Sequence, residues 1–114
     1  MPSRVALFLS HADATALRLA GSCALTAASM DHRVDVFVFG PAVPALVEAA
    51  DEPDHPGAPL LRARQAGQVR LLACSASVVE EKVDPAGAER TFDAVVGWPT
   101  VLEWSRGVVD RFVF

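Results

Sequence analysis

The sequence predicts one α/β domain, a three-layer α/β/α sandwich with helices on both faces of a mostly parallel five-stranded sheet. Three observations carry that expectation. Five short runs rich in β-branched and aromatic residues recur along the chain. The stretches between them show helical spacing of apolar residues or helix-start signals. The first run, Arg4 to Ser10 (RVALFLS), is apolar almost throughout, as a strand covered on both faces must be. Strands alternating with helices imply right-handed crossovers and therefore parallel pairing.

After the first strand, Asp13 offers an N-cap, and Ala14, Leu17, Gly21, Ala24, Leu25 and Ala28 recur at helical spacing. Gly21 costs helix stability in that position, which predicts close packing of this helix on the sheet. Arg33 to Phe39 (RVDVFVF) is the second strand, stopped by Gly40 and Pro41. Val43 to Ala50 reads as a short helix, Asp51 to Pro59 as an acidic loop broken by prolines, and Leu60 to Ala66 as a further helical turn ending at Gly67. Val69 to Cys74 (VRLLAC) is the third strand, Ser75 to Lys82 starts a helix, and Asp84 to Glu89 (DPAGAE) reads as a turn. Phe92 to Gly97 is the fourth strand. Pro99 suits the first turn of the next helix, and Val108 to Phe114 closes the chain as a fifth strand. Neither an internal repeat nor a domain boundary interrupts this pattern, so residues 1–114 are expected to form a single domain.

A chain of 114 residues can bury one core, and 52% hydrophobic against 21% charged residues excludes intrinsic disorder. The formal net charge of -4, with nine arginines and Lys82 scattered along the chain, disfavours nucleic acid and offers no polybasic membrane patch. The most apolar long stretch, Ala12 to Met30, carries Asp13 and Arg18 and reads as a core helix, not a membrane span. The first strand begins so close to Met1 that no export signal is expected. With only Cys23 and Cys74 available, a reducing cytoplasm is the predicted compartment. The richness in Ala, Val and Arg suggests a GC-rich bacterial source.

In open parallel sheets, ligands bind beyond the carboxyl ends of the strands. That rule selects Ser10 and His11, Gly40 and Pro41, Cys74 and Ser75, and Gly97 and Trp98. Cys74 is the most informative, because it ends a strand and precedes a helix. A thiol in that place has its thiolate stabilised by the helix dipole and by free amides. The bland alternative is that Cys74 is a small buried hydrophobe. His11 approaches Cys74 only if the first and third strands are neighbours, as in a flavodoxin-like order, and a loop histidine is otherwise solvated or capping. Cys23, inside the first helix, reads as packing, and a disulfide to Cys74 is not expected. Trp98 stands on the rim, whereas Trp104 is expected in the core or against a partner chain.

No cofactor or metal is expected. The three histidines show no metal-ligand spacing with each other or with the cysteines, and HADATA stands where a dinucleotide-binding glycine motif would begin. A nucleotide or flavin pocket at the rim is correspondingly disfavoured. The P-loop, GxSxG, HExxH and CxxC patterns are also absent.

Taken together, RVALFLSHADATALRLAGSCALTAASMDHRVDVFVFG, VRLLACSAS and VVGWPTVLEWSRGVVDRFVF resemble the DsrE/DsrF-like family of small bacterial sulfur-relay proteins. The resemblance spans nearly the whole chain except Asp51 to Gly67 and Val79 to Arg90. It implies a DsrEF-like sandwich that assembles as a homo-oligomer (dimer, trimer or hexamer) and exchanges sulfur with donor and acceptor proteins. It also implies that Cys74 accepts sulfur as a persulfide, with His11 and Ser75 as helpers. The competing expectation is a non-enzymatic oligomeric binding or scaffold module of the same fold with an inert Cys74.

Overall fold

A computed structural model describes residues 3–114. Its elements run β1 (Arg4–Leu9), α1 (Ala14–Ser29), β2 (Arg33–Val38), α2 (Ala42–Ala49), α3 (Ala58–Gln65), β3 (Val69–Cys74), α4 (Ser75–Glu80), α5 (Pro85–Thr91), β4 (Ala94–Val96), α6 (Trp98–Trp104) and β5 (Asp110–Val113). The five strands form one sheet in the order β4-β3-β2-β1-β5, and every pairing is parallel.

That order divides the helices unevenly. From β1 to β4 the chain steps repeatedly in one direction, so right-handed crossovers put α1 to α5 on a single face. The return from β4 across the sheet to β5 puts α6 alone on the other. The larger core accordingly joins Val5, Leu7, Leu9, Val34, Val36, Val38 and Leu71 to Leu17, Leu46 and Leu60. Each such side chain contributes about 1.5–3 kcal/mol by leaving water. The smaller core sets Ala6, Phe37, Leu72 and Val96 against Val101 of α6, with Phe8, Phe39 and Trp104 packed around them.

Three local expectations need correction. Asp84 to Glu89 does not end as a turn: Asp84 is extended, Pro85 occupies the first position of a helix, and α5 continues to Thr91. Gly87 is the reason a helix with so weak a propensity packs there, because a Cβ at this position would lie 3.1 Å from a Val47 methyl on α2. The fourth strand then starts only at Ala94, since Phe92 is buried in the larger core and the Asp93 carboxylate accepts the Leu71 N–H at 2.8 Å. Gly21, for its part, packs on a helix and not on the sheet: a Cβ there would sit 3.5 Å from Pro59 Cβ at the start of α3.

The face under α6 carries a polar brace in mid-sheet. Asp35 of β2 accepts two hydrogen bonds from Arg70 of β3, at 2.9 and 3.0 Å, and lies 3.6 Å from the Arg4 guanidinium. Arg70 in turn lies 4.3 Å from the centre of the Trp104 ring. Arg4 donates to the carbonyls of Trp104 and Arg106, tying the end of α6 to β1. Trp104 is thereby half-buried packing for this face.

Candidate functional site at the carboxyl rim of the sheet

Parallel register places Cys74 beside Val96 of β4. Val38 pairs with Ala73, and the Phe39 N–H continues the ladder to the Leu9 carbonyl, so Phe39 flanks Cys74 on its other side. Strand alternation turns Phe39, Cys74 and Val96 toward the face that α6 covers. Cys74 is only 5% exposed. It occupies the N-cap position of α4, with extended backbone, and its side chain makes no capping hydrogen bond to the first turn.

Around the thiol the rim is ordered by two devices. Gly40 adopts φ +53 at the exit of β2, and its N–H donates to the buried Ser77 hydroxyl at 2.8 Å, which pins that turn to α4. The Trp98 indole, carried on the first residue of α6, stacks on Phe39 with ring centres 5.1 Å apart and planes 21° off parallel. Phe39 stacks on Phe8, and Phe8 on Phe37, so four rings run in series from the core to the solvent. Trp98 is 57% exposed at the outer end.

The strand order separates His11 from Cys74. β2 lies between β1 and β3, so the two exits stand about 10 Å apart across two strand spacings. His11 is exposed, and its Nδ1 lies 3.4 Å from the Ser10 hydroxyl, at the crevice between β1 and β5 where the Ser10 N–H meets the Phe114 carbonyl at 2.9 Å. The fold therefore does not bring His11 together with Cys74. Ser75 is exposed and begins α4; its hydroxyl faces Gly97, 3.7 Å from where a Cβ would stand. Ser77 and Phe39 were not singled out from the sequence. The S-x-S spacing after Cys74 was the available signal for the first, and the aromatic next to Gly40 for the second.

Cys23 is half-buried in α1 and lies along an apolar groove of about 440 Å³ between that helix and β5, lined also by Leu19, Met30 and Phe112. Burial pushes its thiol pKa up. Both cysteines are free. Glu48, Glu52 and His55 bring ligand-type atoms within 4.8 Å of one another. However, His55 Nδ1 accepts the Gly57 N–H at 3.0 Å, which leaves the proton on Nε2 and no ring nitrogen free for a metal. Among the described residues, no helix is long and apolar enough to cross a membrane.

Comparison with known proteins gives a consistent picture. The family model described as "DsrE/DsrF-like family" matches residues 4–103. No curated protein matches the chain. Among solved structures, the ychN protein from E. coli superposes with a TM-score of 0.67 at 14% identity, covering 98% of this chain and 99% of that one. The protein of unknown function MTH1491 from Methanobacterium thermoautotrophicum superposes with a TM-score of 0.73 at 18% identity, covering 96% of this chain and 98% of that one. At such identities the likeness is one of fold.

Proposed function

The chain belongs to the DsrE/DsrF-like family, and from that premise we propose that it is a sulfur carrier whose Cys74 holds sulfur as a persulfide. The observation that supports this reading is the position of Cys74: the last residue of β3, at the carboxyl rim, inside the matched segment and next to the start of α4. The chemistry is an exchange with no net oxidation. The Cys74 thiolate attacks the outer sulfur of a donor persulfide, a new S–S bond forms at Cys74, and the donor leaves as a thiolate. An acceptor thiolate then attacks the outer sulfur on Cys74, and the Cys74 thiolate is released unchanged. In this reading the chain works in the cytoplasm as a homo-oligomer and meets donor and acceptor proteins at the rim.

One observation favours a second reading. Cys74 is 5% exposed and its sulfur makes no hydrogen bond to the α4 amides, which suits an inert thiol in an assembly module of the same fold. Site-resolved alkylation against pH separates the two, with Cys23 measured in the same sample. A carrier requires a Cys74 that labels readily in the folded protein and that gains sulfur from a sulfane donor. Cys23 should label with a midpoint above the ordinary thiol range, because burial disfavours its charged form. Labelling of Cys74 only on unfolding would end the carrier reading and leave the module.

A further inference from the structure

We propose that Trp98 is the access-determining residue of the Cys74 site: its indole roofs the thiol and sets how large a sulfur donor can reach it. The proposal deepens the carrier reading, on which Cys74 is the residue that meets the donor, and it rests on the geometry of three adjacent strand ends. Trp98 follows β4 after the single residue Gly97, and Phe39 follows β2 directly. β3 runs between those two strands. Their ends are therefore about 10 Å apart, yet the Trp98 and Phe39 rings stack with centres at 5.1 Å. An indole anchored at β4 that meets a ring anchored at β2 must extend across the end of β3. The last β3 side chain on that face is Cys74.

Two further observations agree with a roof over the thiol. Cys74 is 5% exposed although it stands on the rim of the sheet. Trp98, by contrast, is 57% exposed, so the indole stacks on Phe39 with one face and is wet on the outside, as a roof residue would be. Rotation of the indole off Phe39 breaks a single stacked pair and leaves the remaining Phe39–Phe8–Phe37 series in place. Such a side chain opens for slender donors with little reorganisation and resists bulky ones. What the geometry selects is thus a sulfane sulfur at the tip of a thin, extended group.

The test is alkylation of folded Trp98→Ala and Trp98→Phe by iodoacetamide and by a bulky fluorescein maleimide, each site read by peptide mass. Trp98→Ala should accelerate Cys74 labelling by iodoacetamide about tenfold, the order released by loss of one aromatic stack, and labelling by the maleimide by more. Trp98→Phe should fall between, and Cys23 should not change. Phe39→Leu, which removes the stacking partner but keeps an apolar side chain, should reproduce the acceleration if Trp98→Ala proves too unstable. Cys74 rates within twofold of the parent, or acceleration of Cys23 in step with Cys74 in every variant, would overturn the gate. The readout needs no sulfur chemistry. Faster alkylation of Trp98→Ala without persulfide loading of Cys74 by inorganic polysulfide would refute the carrier and keep the gate.

Discussion

Replacing Asp35 by Asn removes the charge of the carboxylate at the centre of the mid-sheet brace. Its carboxylate accepts two charge-assisted hydrogen bonds from Arg70 and faces Arg4 at 3.6 Å, with the Asp35 side chain 13% exposed. Asparagine keeps one acceptor and turns an NH2 toward a guanidinium, so one bond is lost and two donors face each other. Hydrogen bonds to charged groups are worth about 1.5–3 kcal/mol each. Because Arg70 and Arg4 are 41% and 33% exposed, water recovers part of that loss, and the expected destabilisation is about 2 kcal/mol. The hydrogen bond to Asp35 raises the Arg70 pKa further above its ordinary value. A raised cation pKa stabilises at every pH below the unfolded value and is lost only as pH rises through the folded one, so the penalty should be equal at about pH 6 and about pH 9. Urea unfolding followed by tryptophan fluorescence measures it, with Trp104 reporting on the brace directly. The paired change Asp35→Leu with Arg70→Met should recover most of the loss, since apolar replacement of both partners is often neutral. A single Asp35→Asn penalty under about 0.5 kcal/mol would refute the brace as a stabilising device.

Gly21→Ala should stabilise the protein by about 1 kcal/mol, because the new Cβ meets Pro59 at an ordinary 3.5 Å while the helix interior gains propensity; a lowered urea midpoint would show that α1 and α3 need a closer approach than this. Ser77→Ala should cost about 1–2 kcal/mol and expose the Gly40 amide to hydrogen exchange, because that N–H loses its partner at 2.8 Å; unchanged protection of Gly40 would mean that the turn after β2 is held by something else.

The elements most legible from the sequence were those whose signals are local. A nearly continuous apolar run marked β1, Asp13 marked the start of α1, where its side chain accepts the Ala16 N–H at 3.1 Å, and Gly67 marked the end of α3 with φ +75. The resemblance carried by the RVALFLS, VRLLACSAS and VVGWP segments pointed to the family that the matched residues 4–103 establish. Where local signals conflicted the reading failed: DPAGAE carries turn-type residues, yet burial of Ala88 and Phe92 against the larger core makes it a helix.

By itself, the sequence determined that this chain is an α/β domain, which runs are strands, and which residues leave their carboxyl ends, because hydrophobic period and chain breakers act over a few residues at a time. Strand order was decided only by the tertiary structure, since it follows from how the crossovers pack and not from any one segment. That order put β2 between β1 and β3 and so kept His11 from Cys74. It also brought Phe39 and Trp98, 59 positions apart, into a stack at the end of β3, and it set Asp35 against Arg70 beneath Trp104. The low exposure of Cys74 belongs with these long-range facts, because burial at a strand end depends on which elements distant in sequence pack around it.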